Sequence, residues 1–242
     1  MSIRFLRPPT CGWVESQLEK PHMDFLWKAI EKAKEKKLCH KDQLVGHLSN
    51  SFELEDEGGW FMRNVLYHNI DMFLESNYGK HPIRPYTLDM GNEAISLGRM
   101  WVNYQYKTEF NPYHNHGGLY SFVVWMKIPY SCKEQRKIKL LQGMKEQDKK
   151  AGVFEFEYTD ILGQISHFPY YMEPEMEGKM LFFPAALRHS VYPFYECDEV
   201  RISISGNLYL GNIPPEPKLI TDMHHKDNID FMKNIIGSGS IK

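Results

Sequence analysis

From residue 95 onward the chain is a succession of short segments rich in Val, Ile, Phe and Tyr, each closed by turn residues: ISLGRMWVNYQY, LYSFVVWMKI, VFEFEYTDI, QISHFPYY, GKMLFFPA, HSVYPF and VRISISGNLYL. Seven or so strands at this spacing predict an antiparallel sandwich or barrel. Period two is explicit in one of them, where Phe154, Phe156 and Tyr158 point one way and Glu155, Glu157 and Thr159 the other. TDILGQ (159–164) predicts a hairpin turn around Gly163, and the polar stretch 142–152 predicts a mobile loop that interrupts the sheet. Upstream, Phe25, Leu26, Ala29, Ile30 and Ala33 recur at three- and four-residue steps, the apolar face of a helix from about 21 to 38. A second helix is expected from Trp60 to Leu74, entered through Gly58-Gly59. Residues 1–20 read as irregular, and the tail carries a short helix near 226–236. With no internal repeat, the chain reads as one mainly β domain with flanking helices: N-terminal helices about 21–75, the β core about 95–210 and a tail, 211–242.

Composition narrows the partners. Lys and Arg number 29 against 31 Asp and Glu, a balance that leaves no basic footprint for nucleic acid or an anionic membrane. The aromatic share of 14% fits a sheet-rich core. Cys11, Cys39, Cys132 and Cys197 lie far apart with no C-x-x-C pair. Neither a disulfide framework nor a cysteine zinc site is expected, and a reducing cytoplasm is the expected location. The N-terminal MSIRFLRPPTCGW lacks the apolar run of a signal peptide, and no segment is apolar for long enough to span a bilayer.

The chemistry gathers in two places. In NPYHNHGGLYSFVVW (111–125), His114 and His116 stand two apart at the mouth of an apolar strand. If they lie on that strand, period-two geometry sets both imidazoles on one face, within reach of one ion. In GKMLFFPAALRHSVYPFYECDEVRISISGN, His189 opens a strand, a turn follows at about 194–199, and Arg201 and Ser203 share a face of the returning strand. Folding that hairpin back brings Arg201 beside His189. An inward arginine on a strand is informative, because burying it unpaired is costly. Three imidazoles with an arginine and a hydroxyl suit a metal ion together with a small dicarboxylic acid.

These stretches, H-x-H, FP…L-x-H-S-V and R-I-S-I-S in that order over about 95–210, resemble the 2-oxoglutarate- and Fe(II)-dependent oxygenase superfamily. The resemblance is greatest to small bacterial and phage-borne members related to the prolyl hydroxylases. It implies a double-stranded β-helix (jelly roll), a dioxygenase that hydroxylates a C–H bond of a peptidyl or small-molecule substrate, and Fe(II), 2-oxoglutarate and O2 as reactants. It also implies His114, His116 and His189 as iron ligands, with no catalytic residue beyond the metal site. Arg201 and Ser203 would hold the C5 carboxylate of 2-oxoglutarate, with Ser121, Trp125 and Tyr104 as further candidates for that pocket. The chain departs from the superfamily's H-x-D/E…H pattern at His116, where the carboxylate is replaced; Glu155, Glu157 or water are the other occupants of that position. Two different schemes share part of the pattern. A three-histidine cupin dioxygenase would match Gly178, Pro184 and His189 but has no glutamate after H-x-H here and no use for Arg201. A non-catalytic jelly-roll binding module would keep the fold alone.

Overall fold

The computed structural model describes residues 3–4, 11–36, 47–76 and 95–211; the expected helix near 226–236 lies outside the described residues. Among the described residues ten strands form two antiparallel sheets. In chain order they are β1 (Val14–Gln17), β2 (Asn50–Leu54), β3 (Ile95–Gln105), β4 (Asn111–His114), β5 (Tyr120–Lys127), β6 (Phe154–Thr159), β7 (Ile165–Tyr170), β8 (Lys179–Pro184), β9 (Arg188–Val191) and β10 (Arg201–Leu210). The larger sheet runs β1-β8-β5-β10-β3-β2 and the smaller β4-β9-β6-β7, a jelly roll. Helices α1 (Lys20–Lys36) and α2 (Tyr67–Ser76) cover the outer face of the larger sheet. A π-turn at Met62–Leu66 runs directly into α2. The Asp56 carboxylate accepts from the Phe61 and Met62 amides at its entrance, at 2.7 and 2.9 Å. No described helix is long and apolar enough to cross a membrane.

Alternation along the larger sheet sorts the side chains into two cores. Val102, Val124, Phe182 and Ile204 pack against Leu26, Ile30, Phe61 and Phe73 of the helical layer. Their neighbours one position away, including Val123, Trp125, Leu181 and Phe183, pack against Phe154 and Phe156 of the smaller sheet. This double burial explains why β5 is an apolar run and does not alternate. Burying both faces of a sheet at roughly 25 cal/mol per Å² is the main stabilising term available to a jelly roll.

Several expectations change. Residues 14–17 are not irregular: they are the edge strand β1, paired with β8. The strand β2, paired with β3 at the opposite edge, was not anticipated. Stretch 142–152 is organised by a short helical turn at Glu146–Asp148 and ends on the buried Ala151. The turn at 159–164 forms as expected, Asp160 accepting from the Leu162 and Gln164 amides. The largest revision concerns His189 and Arg201. Their strands are not a hairpin: β9 pairs with β4 and β6, whereas β10 pairs with β3 and β5 in the other sheet. Residues 192–200 cross between layers, so the two side chains reach one cavity from opposite sheets.

Candidate metal and cosubstrate site

His114, His116 and His189 converge: one ring nitrogen of each lies within 4.8 Å of the others. His114 and His189 are cross-strand partners on β4 and β9. β4 ends at His114, so the expected common strand for H-x-H is corrected: His116 sits on the crossing loop, where its amide donates to the Ala185 carbonyl at 2.9 Å. That loop leads from the smaller sheet to β5 of the larger one, and it swings the second imidazole back over the first. His116 Nε2 ends 3.2 Å from His189 Nε2.

The rings are prepared as neutral donors. The Nδ1 of His114 lies 2.7 Å from the Pro112 carbonyl and that of His189 3.1 Å from the Leu187 carbonyl. A carbonyl only accepts, so each Nδ1 carries the hydrogen and each Nε2 turns its lone pair toward the cluster. Burial, with the neighbouring imidazoles, holds His116 down to about 3 and His189 well below the ordinary range, and desolvation lowers His114. Three converging neutral imidazoles fit a borderline divalent ion such as Fe(II).

Among the described residues no carboxylate joins them. Glu155 points away from the cavity, as an alternating strand requires, yet it is buried and not exposed: it is paired with Lys150 and accepts from Tyr113. Glu157 pairs with Arg188 on the same outer face. Both glutamates therefore belong to the outer face of the smaller sheet.

A cavity of about 180 Å³ between the sheets is lined by all three histidines and by Arg201, Ser203 and Trp125. Arg201 is buried on a strand, and both partners of its guanidinium are neutral. Nη1 donates to the Tyr130 hydroxyl at 2.7 Å and Nη2 to the Gln105 side-chain oxygen. Burial pushes the Tyr130 phenol up to about 12, and its hydroxyl passes the chain on to the Gly152 carbonyl at 2.8 Å. A buried cation with only neutral partners is several kcal/mol short of compensation and is receptive to an anion. Ser121 lies one step removed, donating to Asn207, whose side chain lines the cavity.

Tyr104 is corrected. On β3 the residues Trp101, Asn103 and Gln105 face the cavity, and period two turns Tyr104 to the other side, against Phe52 and Lys34. The cavity side of β3 carries Asn103 and Gln105 instead, which sequence reading missed. Their alternate spacing before Tyr106 was the available signal, because the buried face of β3 is polar at just those positions. Tyr130 left no comparable signal, since it lies beyond the end of β5.

Residues 99–207 match the family model of the 2OG-Fe(II) oxygenases. No curated protein matches the chain. Among solved structures, it is similar to a Pseudomonas putida prolyl-4-hydroxylase at 12% identity and a TM-score of 0.49, covering 84% of this chain and 95% of the other. It is also similar to a viral collagen prolyl hydroxylase from Paramecium Bursaria Chlorella virus-1 (12%, TM-score 0.46, 83% and 96% covered). A third is a prolyl hydroxylase from Trichoplax adhaerens in complex with a hypoxia inducible factor peptide fragment (11%, 0.46, 84% of each chain). The family match spans β3 to β10, less than half of the chain, and the strand pairing independently gives a jelly roll. The family match and the converging histidines are what a dioxygenase using Fe(II), 2-oxoglutarate and O2 would carry.

Proposed function

We propose that His114, His116 and His189 together hold the iron, and that Arg201 with Ser203 receives the C5 carboxylate of 2-oxoglutarate, for hydroxylation of a C–H bond in a small-molecule or peptidyl substrate. The observation that carries this reading is the cavity itself: a neutral three-imidazole cluster and a buried arginine without a carboxylate partner open onto the same space. A three-histidine cupin has no use for such an arginine, and a binding module has no use for the imidazoles. When bound, iron would couple oxidative decarboxylation of 2-oxoglutarate to oxidation of the substrate.

The chain's own residues do the rest. The carbonyls of Pro112 and Leu187 fix the tautomers of His114 and His189, so metal binding releases no proton from either ring near neutral pH. Tyr130 and Gln105 hold the Arg201 fork in one plane, which prepays the ordering that a bidentate carboxylate contact requires. Trp125, Phe154 and Phe183 supply apolar walls that limit water around the charged groups. Anaerobic addition of Fe(II) and 2-oxoglutarate is expected to give a visible metal-to-ligand charge-transfer band, with succinate formed once O2 is admitted. Iron binding without the band would favour the cupin scheme, and absence of iron binding would favour the binding module.

A further inference from the structure

Tyr113 immediately precedes His114 on β4, and alternation turns its side chain to the opposite face of the sheet. β4 is an edge strand of the smaller sheet and only four residues long, and its register with β9 is irregular between Asn111 and His114. A short strand with few ladder bonds opens easily, yet this one carries a ring that must keep its place beside two others. The contact of His114 Nδ1 to the Pro112 carbonyl fixes the ring against its own strand. It cannot fix the strand against the sheet.

The outer face of the sheet supplies what is missing. The Tyr113 side chain lies across it, under the guanidinium of Arg188 on β9, whose carbon is 5.6 Å from the ring centroid. Its hydroxyl donates to the carboxylate of Glu155 on β6. Its ring stacks on His167 of β7, with centroids 5.9 Å apart and 23° between the planes. One side chain from the edge strand thus touches each of the other three strands. The anchor is firm. Glu155 is 1% exposed, its second oxygen pairs with Lys150, and the Tyr192 hydroxyl reaches its first at 3.5 Å. A hydrogen bond to an ionised acceptor is about twice as strong as one to a neutral acceptor. Glu155 is also the register partner of Ser190, the residue after His189, so the anchor stands directly behind the strand of the third imidazole.

We infer that Tyr113 is a positioning residue for the metal site: bonded to Glu155, it straps β4 across the smaller sheet and holds His114 where its free nitrogen meets those of His116 and His189. This role rests on the three-histidine reading above. It gives Glu155 a part in the site without making it a ligand, since the carboxylate acts from the far face of the sheet through the phenol. Neutral imidazoles offer a metal no charge attraction, so a site made of them depends the more on each ring being in place before the ion arrives.

The test titrates the full metal-free chain with Co(II), whose visible d–d bands report ligand number and geometry, beside urea unfolding of the same proteins. Tyr113→Phe keeps the ring and removes the hydroxyl. It is expected to bind Co(II) about ten- to a hundredfold more weakly and to show altered d–d bands at saturation. Glu155→Gln keeps an oxygen acceptor for the phenol and is expected to fall between Tyr113→Phe and the parent, and the double variant to bind no more weakly than Tyr113→Phe alone. Tyr192→Phe, which removes the other phenol on Glu155, is expected to bind Co(II) like the parent. A merely structural role would lower stability in urea and leave the Co(II) spectrum and affinity of the folded protein unchanged. That result overturns the inference, as does a Tyr192→Phe loss equal to that of Tyr113→Phe. If Tyr113→Phe does not fold, Glu155→Gln decides alone: weakened Co(II) binding with altered bands supports the strap, and parental binding overturns it. A parent protein that binds no Co(II) defeats the three-histidine reading first, whereas a parent that binds it, beside a Tyr113→Phe variant that binds it equally well, defeats the strap only.

Discussion

Replacing Arg201 by Met separates binding from folding. The side chain is buried between Tyr130 and Gln105, with no ion pair among the described residues. If its fork holds the far carboxylate of 2-oxoglutarate, Arg201→Met removes two charge-assisted hydrogen bonds, each worth about 1.5–3 kcal/mol. The combined loss of about 3–6 kcal/mol is on the order of a 10²- to 10⁴-fold weaker cosubstrate Kd. Stability should move far less. The Tyr130 hydroxyl and the Gln105 oxygen each lose a partner, costing about 1–3 kcal/mol. Against that, the desolvation cost of an uncompensated cation, itself several kcal/mol, disappears. The metal-free variant is therefore expected to unfold within about 2 kcal/mol of the parent. Anaerobic titration of the Fe(II) protein with 2-oxoglutarate, beside urea unfolding of both proteins, reads the two quantities. An affinity within about fivefold of the parent refutes the assignment of Arg201 to the cosubstrate. A large loss of stability with little loss of affinity would make Arg201 a structural residue only.

Further outcomes follow from the same geometry. Gly152 has φ +74°, and a Cβ there would stand 2.5 Å from the Tyr130 ring; Gly152→Ala should displace Tyr130, loosen Arg201 and weaken 2-oxoglutarate binding while leaving Fe(II) binding intact, as paired titrations would show. The depressed histidines make metal-free stability depend on pH. Above about 6.5 the rings are neutral folded or unfolded and contribute nothing; below it the unfolded chain takes up protons that the buried rings refuse. Stability should then fall with pH by up to about 1.4 kcal/mol per unit per histidine, and His116→Asn should flatten the slope in unfolding curves recorded from pH 7 to 5. A slope unchanged in His116→Asn would show that the ring is not held neutral. Desolvation pushes the fully buried Cys132 thiol up to about 12, so iodoacetamide at pH 8 should leave it unmodified in the native protein and label it after denaturation, read by mass spectrometry of the peptides.

The candidate site residues were legible because each left a local pattern. H-x-H, the L-x-H-S-V stretch and the R-x-S alternation are all short-range, and period two places Arg201 and Ser203 on one face wherever the strand lies. What sequence could not supply was which strand sits beside which. Residues 188–210 read as a hairpin because β9 and β10 are consecutive, whereas the jelly roll sends them to different sheets. The same cause misplaced Tyr104: its neighbours Asn103 and Gln105 reach the cavity because β3 pairs with β10, a pairing across nearly a hundred residues. The edge strands β1 and β2 went unseen because each is short and half exposed, so neither carries an apolar run. Burial lowers all three histidines, a consequence of the fold that the H-x-H pattern does not encode, so protons compete for the imidazoles only at lower pH than for exposed rings.

The central claim is that three neutral imidazoles and no carboxylate hold the iron, with 2-oxoglutarate anchored at Arg201. A crystal structure grown anaerobically with Fe(II) and 2-oxoglutarate, with iron located by anomalous scattering, tests it most directly. The account predicts iron bonded to the Nε2 atoms of His114, His116 and His189, and the far carboxylate of 2-oxoglutarate on Arg201. Iron bound by Glu155 or Glu157, or 2-oxoglutarate seated away from Arg201, would contradict it.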